Sequence, residues 1–263
     1  MKKIKVTLLV VFLIVAQALA SGASGKKLSL EEQAKLNQDL LEAVQGGLKD
    51  RVKQLLYQGA DPNAHEAGAE SRGRTALQLA ALADNEPIVD ALIAAKANVN
   101  GSDNRHSTPL MAAATKGNLE ALNALIKADA DVNAKEDNQG LTALLYASNA
   151  GHADIVKALI QAGADVSVAE KKRNATALML AAYLNYKDVV SALIEGKADV
   201  NAKDVEGLTP LMMASVGSHV EILSLLIEAG ADVNAQSQTG NTALSLATNS
   251  EIQDLLKKAG ATQ

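Results

Sequence analysis

The sequence predicts an all-α solenoid, about seven two-helix units stacked in a row. Three observations carry that prediction. Thr-Ala-Leu or Thr-Pro-Leu recurs at Thr75, Thr108, Thr142, Thr176, Thr209 and Thr242, at intervals of 33, 34, 34, 33 and 33 residues. Such a fixed period marks a repeat architecture. Each opening leads into a short apolar run, a break, and a second run with apolar residues at i, i+3 and i+4. The second run closes on Ala-Asp-Val-Asn at Ala130, Ala198 and Ala231, with variants starting at Ala60, Ala97 and Ala164. A single stretch, Thr209–Asn234, shows the whole unit, with breaks at Gly217 and Gly230.

Taken in order, residues 1–20 read as a secretory leader. Lys2, Lys3 and Lys5 form a positive start, Val6–Ala16 an apolar run, and Ala18-Leu19-Ala20 a small-residue cleavage site. The apolar run is shorter than the roughly 20 residues a membrane span requires. No Cys follows it to carry a lipid. The expected destination is the periplasm, or alternatively the outside of the cell, with no stable membrane insertion after cleavage. Residues 21–28 form a linker. Residues 29–263 form the repeat domain, which begins with an N-terminal capping repeat over 29–61. There Ser29-Leu30-Glu31-Glu32 is a capping box, with Ser29 as N-cap and Glu32 reaching back. Its first helix runs through Leu36, Leu40, Leu41 and Val44 to Gly46-Gly47, and its second through Val52, Leu55 and Leu56 to Gly59.

The junction after this repeat is longer than later ones, with the extra residues inside Ala64–Arg74. Insertions in repeat proteins often sit on the binding face; a tolerated surface loop is equally open. Five fuller repeats span 75–235. In each, Thr is a cap-type residue, and Pro109 and Pro210 suit a first helical turn. Small pairs such as Ala80-Ala81, Ala113-Ala114 and Ala181-Ala182 let first helices approach closely. Second helices carry stripes such as Ile155, Val156, Leu159 and Ile160. A short C-terminal capping repeat spans 241–263, where Asn249 and Ser250 start a helix with Ile252, Leu255 and Leu256 inside.

Composition narrows the function classes. Apolar residues make up 48% and aromatics 2%, so Ala, Leu, Val and Ile do the packing. There is no Cys, which removes a disulfide framework, a thiolate metal site and a thiol nucleophile. The net charge is −5, and it becomes three units more negative once Lys2, Lys3 and Lys5 leave with the leader. A nucleic-acid binder wants a basic footprint instead, so no nucleic-acid partner is expected.

The period, the Thr-Pro-Leu opening and the Ala-Asp-Val-Asn ending resemble the ankyrin repeat, from about Leu36 to the C-terminus. The resemblance implies helix-turn-helix units joined by β-hairpin-like fingers. Two departures stand out. The family places His after Thr-Pro-Leu, where it ties the turn region together. This chain has Gln78, Met111, Leu145, Met179, Met212 and Ser245 there, so those bonds are expected to be absent. The family also favours Gly at the fingertip. Gly73, Gly140, Gly207 and Gly240 obey; His106 and Asn174 do not, which predicts two fingers of unusual shape.

No residues are expected to serve catalysis, a cofactor or a metal. His152 and His219 share one repeat position two units apart, about 20 Å if layers are spaced like packed helices, too far for one metal. Asp131, Asp165, Asp199 and Asp232 recur once per layer, as local loop bonding requires. No phosphate-cradling loop or nucleophile motif is present. Recognition remains. By register with the family, the fingers offer Arg72, Arg74, Asn104, Arg105, Asn138, Gln139, Leu141, Lys172, Arg173, Glu206 and Leu208. The groove side of the first helices offers Lys116, Asn149, Tyr183, Leu184 and Val216. Tyr and Arg are enriched in interface hot spots. The expectation is a non-enzymatic periplasmic protein-binding module, monomeric when free, that inhibits or protects an exported enzyme. Resemblance to exported bacterial ankyrin proteins suggests immunity against a cell-wall peptidase, or alternatively support of a periplasmic catalase. A secreted effector binding a host protein is a further alternative.

Overall fold

Each unit begins where a threonine leaves extended backbone and its hydroxyl takes an otherwise orphaned amide proton. Thr75, Thr108, Thr142, Thr176, Thr209 and Thr242 all sit near ψ 160 and accept from the amide three residues on. Ser29 does the same, with Glu32 reaching back to its amide. The computed structural model describes residues 28–68 and 71–262. The expected leader and nearly all of the linker lie outside the described residues.

The described residues form seven helix pairs and no sheet. They are α1 Leu30–Gln45 with α2 Lys49–Tyr57, α3 Ala76–Leu82 with α4 Glu86–Ala94, and α5 Pro109–Lys116 with α6 Leu119–Lys127. Next come α7 Ala143–Ala150 with α8 Ala153–Gln161, and α9 Ala177–Tyr183 with α10 Lys187–Glu195. The series ends with α11 Pro210–Val216, α12 Val220–Glu228, α13 Ala243–Leu246 and α14 Ser250–Lys258. First helices stack on first helices and second on second, so one apolar core runs from Leu40 to Leu256. The alanine pairs Ala80-Ala81, Ala113-Ala114 and Ala181-Ala182 are fully buried, which brings consecutive first helices close.

Polar bonding ties the layers together along two edges. At the ends of the second helices, the Asx side chain of each Ala-Asp-Val-Asn segment closes its own loop: Asp131, Asp199 and Asp232 accept from Asn133, Asn201 and Asn234 amides. The asparagine then reaches the next unit. Asn133 accepts from the Asp165 amide at 2.8 Å and donates to Gly163 O at 3.2 Å. Asn201 repeats this with Asp232 and Gly230, and Asn234 with Thr262 and Gly260. The ladder breaks at Ser167, whose hydroxyl turns back to Asp165 at 2.6 Å. Ser167→Asn should complete it by accepting from the Asp199 amide and donating to Lys197 O. Two partly exposed bonds at a net 0.5–1.5 kcal/mol each, less the serine bond lost, should stabilise by about 1 kcal/mol. A raised urea midpoint with unchanged slope would show this; an unchanged midpoint refutes the ladder's role.

The second edge is the row of fingers. Backbone amides of Asn104, Asp137, Lys171, Val205 and Gln238 donate to Arg72, Arg105, Gln139, Arg173 and Glu206 carbonyls in the preceding finger. Here two expectations need correction. His106 and Asn174 adopt φ 58, alongside 69 at Gly73 and Gly140, so all fingers share the left-handed tip. What differs is length. The fingers starting at Glu136 and Glu170 carry one residue more than those starting at Asp103, Asp204 and Ser237. The longer glutamate side chain matches the longer finger, accepting from amides two, three and five residues on. Aspartate serves the shorter one, accepting two and four residues on. That accounts for the two 34-residue intervals. The second correction concerns Gln78. It donates to Ser107 O at 2.6 Å and accepts from the Thr75 amide, supplying a turn bond expected to be absent. At Met111, Leu145, Met179 and Met212 the side chains are buried and apolar.

Candidate functional site

Residues four and seven after each capping threonine lie one turn apart on the same helix face. In the units opened by Thr142, Thr176 and Thr209 these are Tyr146 and Asn149, Leu180 and Tyr183, Met213 and Val216. The positions between them, Ala147, Ser148, Ala181, Ala182, Ala214 and Ser215, are buried. The outward face of α7, α9 and α11 therefore forms a floor. Residues just before the caps, Leu141, Ala175 and Leu208, form a wall, and Gln139, Lys172 and Arg173 of the fingers form a rim. The open groove they bound has a volume of about 550 Å³, with Leu145, Met179 and Glu170 completing its lining.

Half of the residues named from sequence meet in this groove: Gln139, Leu141, Asn149, Lys172, Arg173, Tyr183, Leu208 and Val216. Tyr183 and Val216 are 52% and 48% exposed. Leu141 and Leu208 are half-buried against the core. The other named residues lie outside the lining. Arg74 is held by Glu66 through two 2.9 Å bonds, which keeps the Glu66 carboxyl below its usual range. Asn104 donates to Ser71 O and Glu206 pairs with Arg173. Arg72, Arg105, Lys116, Asn138 and Leu184 are exposed.

Sequence reasoning missed Tyr146, Leu180 and Met213. The signal was present: each lies three residues before Asn149, Tyr183 or Val216, the spacing that shares a helix face. Tyr146 matters most, since it brings a second aromatic to the floor. It is half-buried. Burial, reinforced by the Glu136 charge, pushes its phenol up, so it stays a neutral hydroxyl, able to donate a hydrogen bond.

The large apolar side chains exposed in the C-terminal half are not scattered. Tyr183, Leu184, Val205 and Val216 belong to two neighbouring units. Clustered exposure of this kind marks interaction surfaces. Electrostatics at the rim are uneven. Arg173 stands 3.9 Å from Asp204 and 3.7 Å from Glu206. The Asp204 side chain is wholly buried and its Oδ2 has no hydrogen-bond partner, so the guanidinium offsets its charge. Lys172, Arg105 and Arg72 have no ion pair among the described residues.

Two of the histidines bridge neighbouring layers. His152 Nε2 lies 3.3 Å from Thr115 O and His219 Nε2 2.9 Å from Tyr183 O, each in the preceding unit. Asn118 plays the same part, donating to Ala81 O. Among the described residues no three His, Asp or Glu cluster as a metal site would require. No helix there is long and apolar enough to cross a membrane.

Comparison with known proteins agrees with this architecture. The family described as ankyrin repeats matches in three copies, over residues 40–136, 134–204 and 178–262. The human ASB11 ankyrin repeat domain is similar in structure at TM-score 0.74, with 25% identity, covering 85% of this chain and 98% of that one. The ankyrin repeat domain of Bcl-3, a member of the IkappaB protein family, is similar at TM-score 0.74, with 26% identity, covering 83% of this chain and 97% of that one. A search of curated proteins found no match.

Proposed function

The chain belongs to the ankyrin-repeat family, and from that premise we propose that it is a protein-binding module whose groove over α7, α9 and α11 seats an exported enzyme, inhibiting or protecting it. Protein partners are what the repeat family implies. The observation that carries the groove assignment is the juxtaposition of Tyr146, Leu180, Tyr183 and Val216 under a rim of finger residues. Aromatic anchors in a shaped apolar recess, ringed by polar groups, are the make-up of an interface centre. The export reading rests on Lys2, Lys3, Lys5, the apolar run and Ala18-Leu19-Ala20. A mature protein recovered with Met1 in place would remove the periplasmic part. Immunity against a cell-wall peptidase fits best, because such a role asks only that the groove cover an active-site rim.

The test is affinity capture from a periplasmic extract, with a control bait carrying Tyr183→Ala, Leu184→Ala and Arg105→Ala. One stoichiometric enzyme is expected, with retention reduced about tenfold or more on the control, as for loss of hot-spot residues. Its activity with and without the wild-type chain then separates inhibition from protection. Equal retention on both baits places the interface elsewhere.

A further inference from the structure

The fingers carry a charge pattern that the chain's composition does not lead one to expect. The backbone ladder puts Arg72, Arg105, Gln139, Arg173 and Glu206 on successive rungs of one row. The chain is acidic overall, at −5, yet over these four fingers the exposed cations Arg72, Arg105, Lys172 and Arg173 stand against one exposed carboxylate among the described residues, Asp137, which pairs with the His106 ring. Arg173 is already matched by Asp204 and Glu206. Lys172 beside it, and Arg105 and Arg72 further along, are exposed and form no salt bridge among the described residues, although the Arg72 charge helps to hold the Glu66 carboxyl low. The row also runs into the apolar recess, since Gln139, Lys172 and Arg173 form its rim.

Resting on the groove reading above, we propose that the occupant is an extended acidic segment of the partner protein. One bulky apolar side chain sits among Tyr146, Leu180 and Tyr183, and carboxylates lie along Lys172, Arg105 and Arg72. Charge complementarity selects this occupant: a basic segment would face the exposed cations Lys172, Arg105 and Arg72, and like charges across an interface are costly. Geometry sets the spacing. Layers stand about 8–10 Å apart and an extended chain rises about 3.3 Å per residue. The carboxylates facing Arg72 and Arg105, one layer apart, are therefore about three residues apart, and the one facing Lys172, two layers from Arg105 across the Gln139 rung, lies about five or six residues further on, towards the apolar anchor.

The test pans a random dodecapeptide display library on the full chain. Enriched peptides should carry one large apolar residue with two or more Asp or Glu on one side of it. Synthetic copies should bind the Arg72→Glu/Arg105→Glu chain about tenfold or more weakly, and the Tyr146→Ala chain likewise. Both arginines are surface residues, so the charge-reversed chain should keep its unfolding midpoint, which checks that it is folded. Absence of enrichment, enrichment of neutral or basic peptides, or indifference to charge reversal overturns the proposal. An enzyme captured through Tyr183 that still binds the charge-reversed chain at wild-type affinity overturns the acidic segment alone and leaves the binding module standing. A captured enzyme indifferent to Tyr183→Ala as well overturns the groove as the interface and the acidic segment with it.

Discussion

Glu136→Ala is expected to destabilise the chain by about 3 kcal/mol and to loosen the finger beside the groove. The carboxylate is 4% exposed and accepts from the amides of Asn138, Gln139 and Leu141. Bonds to a charged acceptor contribute about 1.5–3 kcal/mol each, and partial hydration of a fingertip offsets part of three such losses. Asparagine or aspartate cannot simply replace it, because this finger has one residue more than the Asp103 finger. Glu136→Asp alone should therefore cost nearly as much as alanine. Glu136→Asp combined with deletion of Asn138 should recover most of the loss by rebuilding the shorter finger. Urea unfolding of the three variants decides the matter; a mild Glu136→Asp effect would sink the length-matching rule.

The same carboxylate sets a pH dependence. Burial would raise the Glu136 value, but the amides of Gln139, Asn138, Leu141 and Gly140 outweigh it and hold it below the usual range. A depressed folded value means that the contribution is full above the ordinary glutamate value of about 4.3 and is lost as pH falls from there through the folded value. The gap between wild type and Glu136→Ala should therefore narrow in acid. A gap that holds constant down to the acid transition would contradict it.

Gly151→Ala should cost a comparable amount, about 3 kcal/mol, from two sources. Its φ is 80, where an L side chain costs about 1–2 kcal/mol. A Cβ there would also stand 2.8 Å from the Tyr186 ring of the next unit, and overpacking of this kind costs about 1–3 kcal/mol. Gly163 supplies the control: its φ is 88 and nothing lies within 4 Å of the same position. Gly163→Ala should show only the backbone part. Adding Tyr186→Ala to Gly151→Ala should relieve the clash, giving a coupling of about 1 kcal/mol or more in a double-mutant cycle. Equal costs at Gly151 and Gly163 would mean that the ring yields freely.

Much of this was legible in the chain because a solenoid writes its contacts locally. Each capping threonine, each Ala-Asp-Val-Asn loop and each apolar stripe acts on residues at most one period away. A motif repeated every 33 or 34 residues therefore reports helix pairs, caps and core directly. The Ser29 capping box and the Asn249 cap were readable for the same reason. The candidate site was half legible. Register placed Gln139, Arg173, Tyr183 and Val216 on one surface, but it treated fingertip and helix positions as lists, without the depth of each side chain.

The sequence by itself determined the class of fold, the two-helix unit, the order of the elements and the residues that can face a groove, since these follow from spacing along one chain. Tertiary structure alone decided which of those residues enclose a recess and which are already engaged. Arg74 and Arg173 look alike as letters, yet one is closed onto Glu66 and the other bridges to Asp204 and Glu206 at the rim. Tyr146 joined the floor only when α7 was set beside α9. Gln78 restored a turn bond because the Ser107 carbonyl of the next layer arrives within 2.6 Å. His106 adopts a glycine-like tip in a finger whose Asn104 amide and Arg105 carbonyl are bound by the fingers on either side, and Asp137 pairs with its ring. Each of these outcomes depends on a distance between layers, and that distance is set by how closely the alanine-lined helices pack, which no single repeat states.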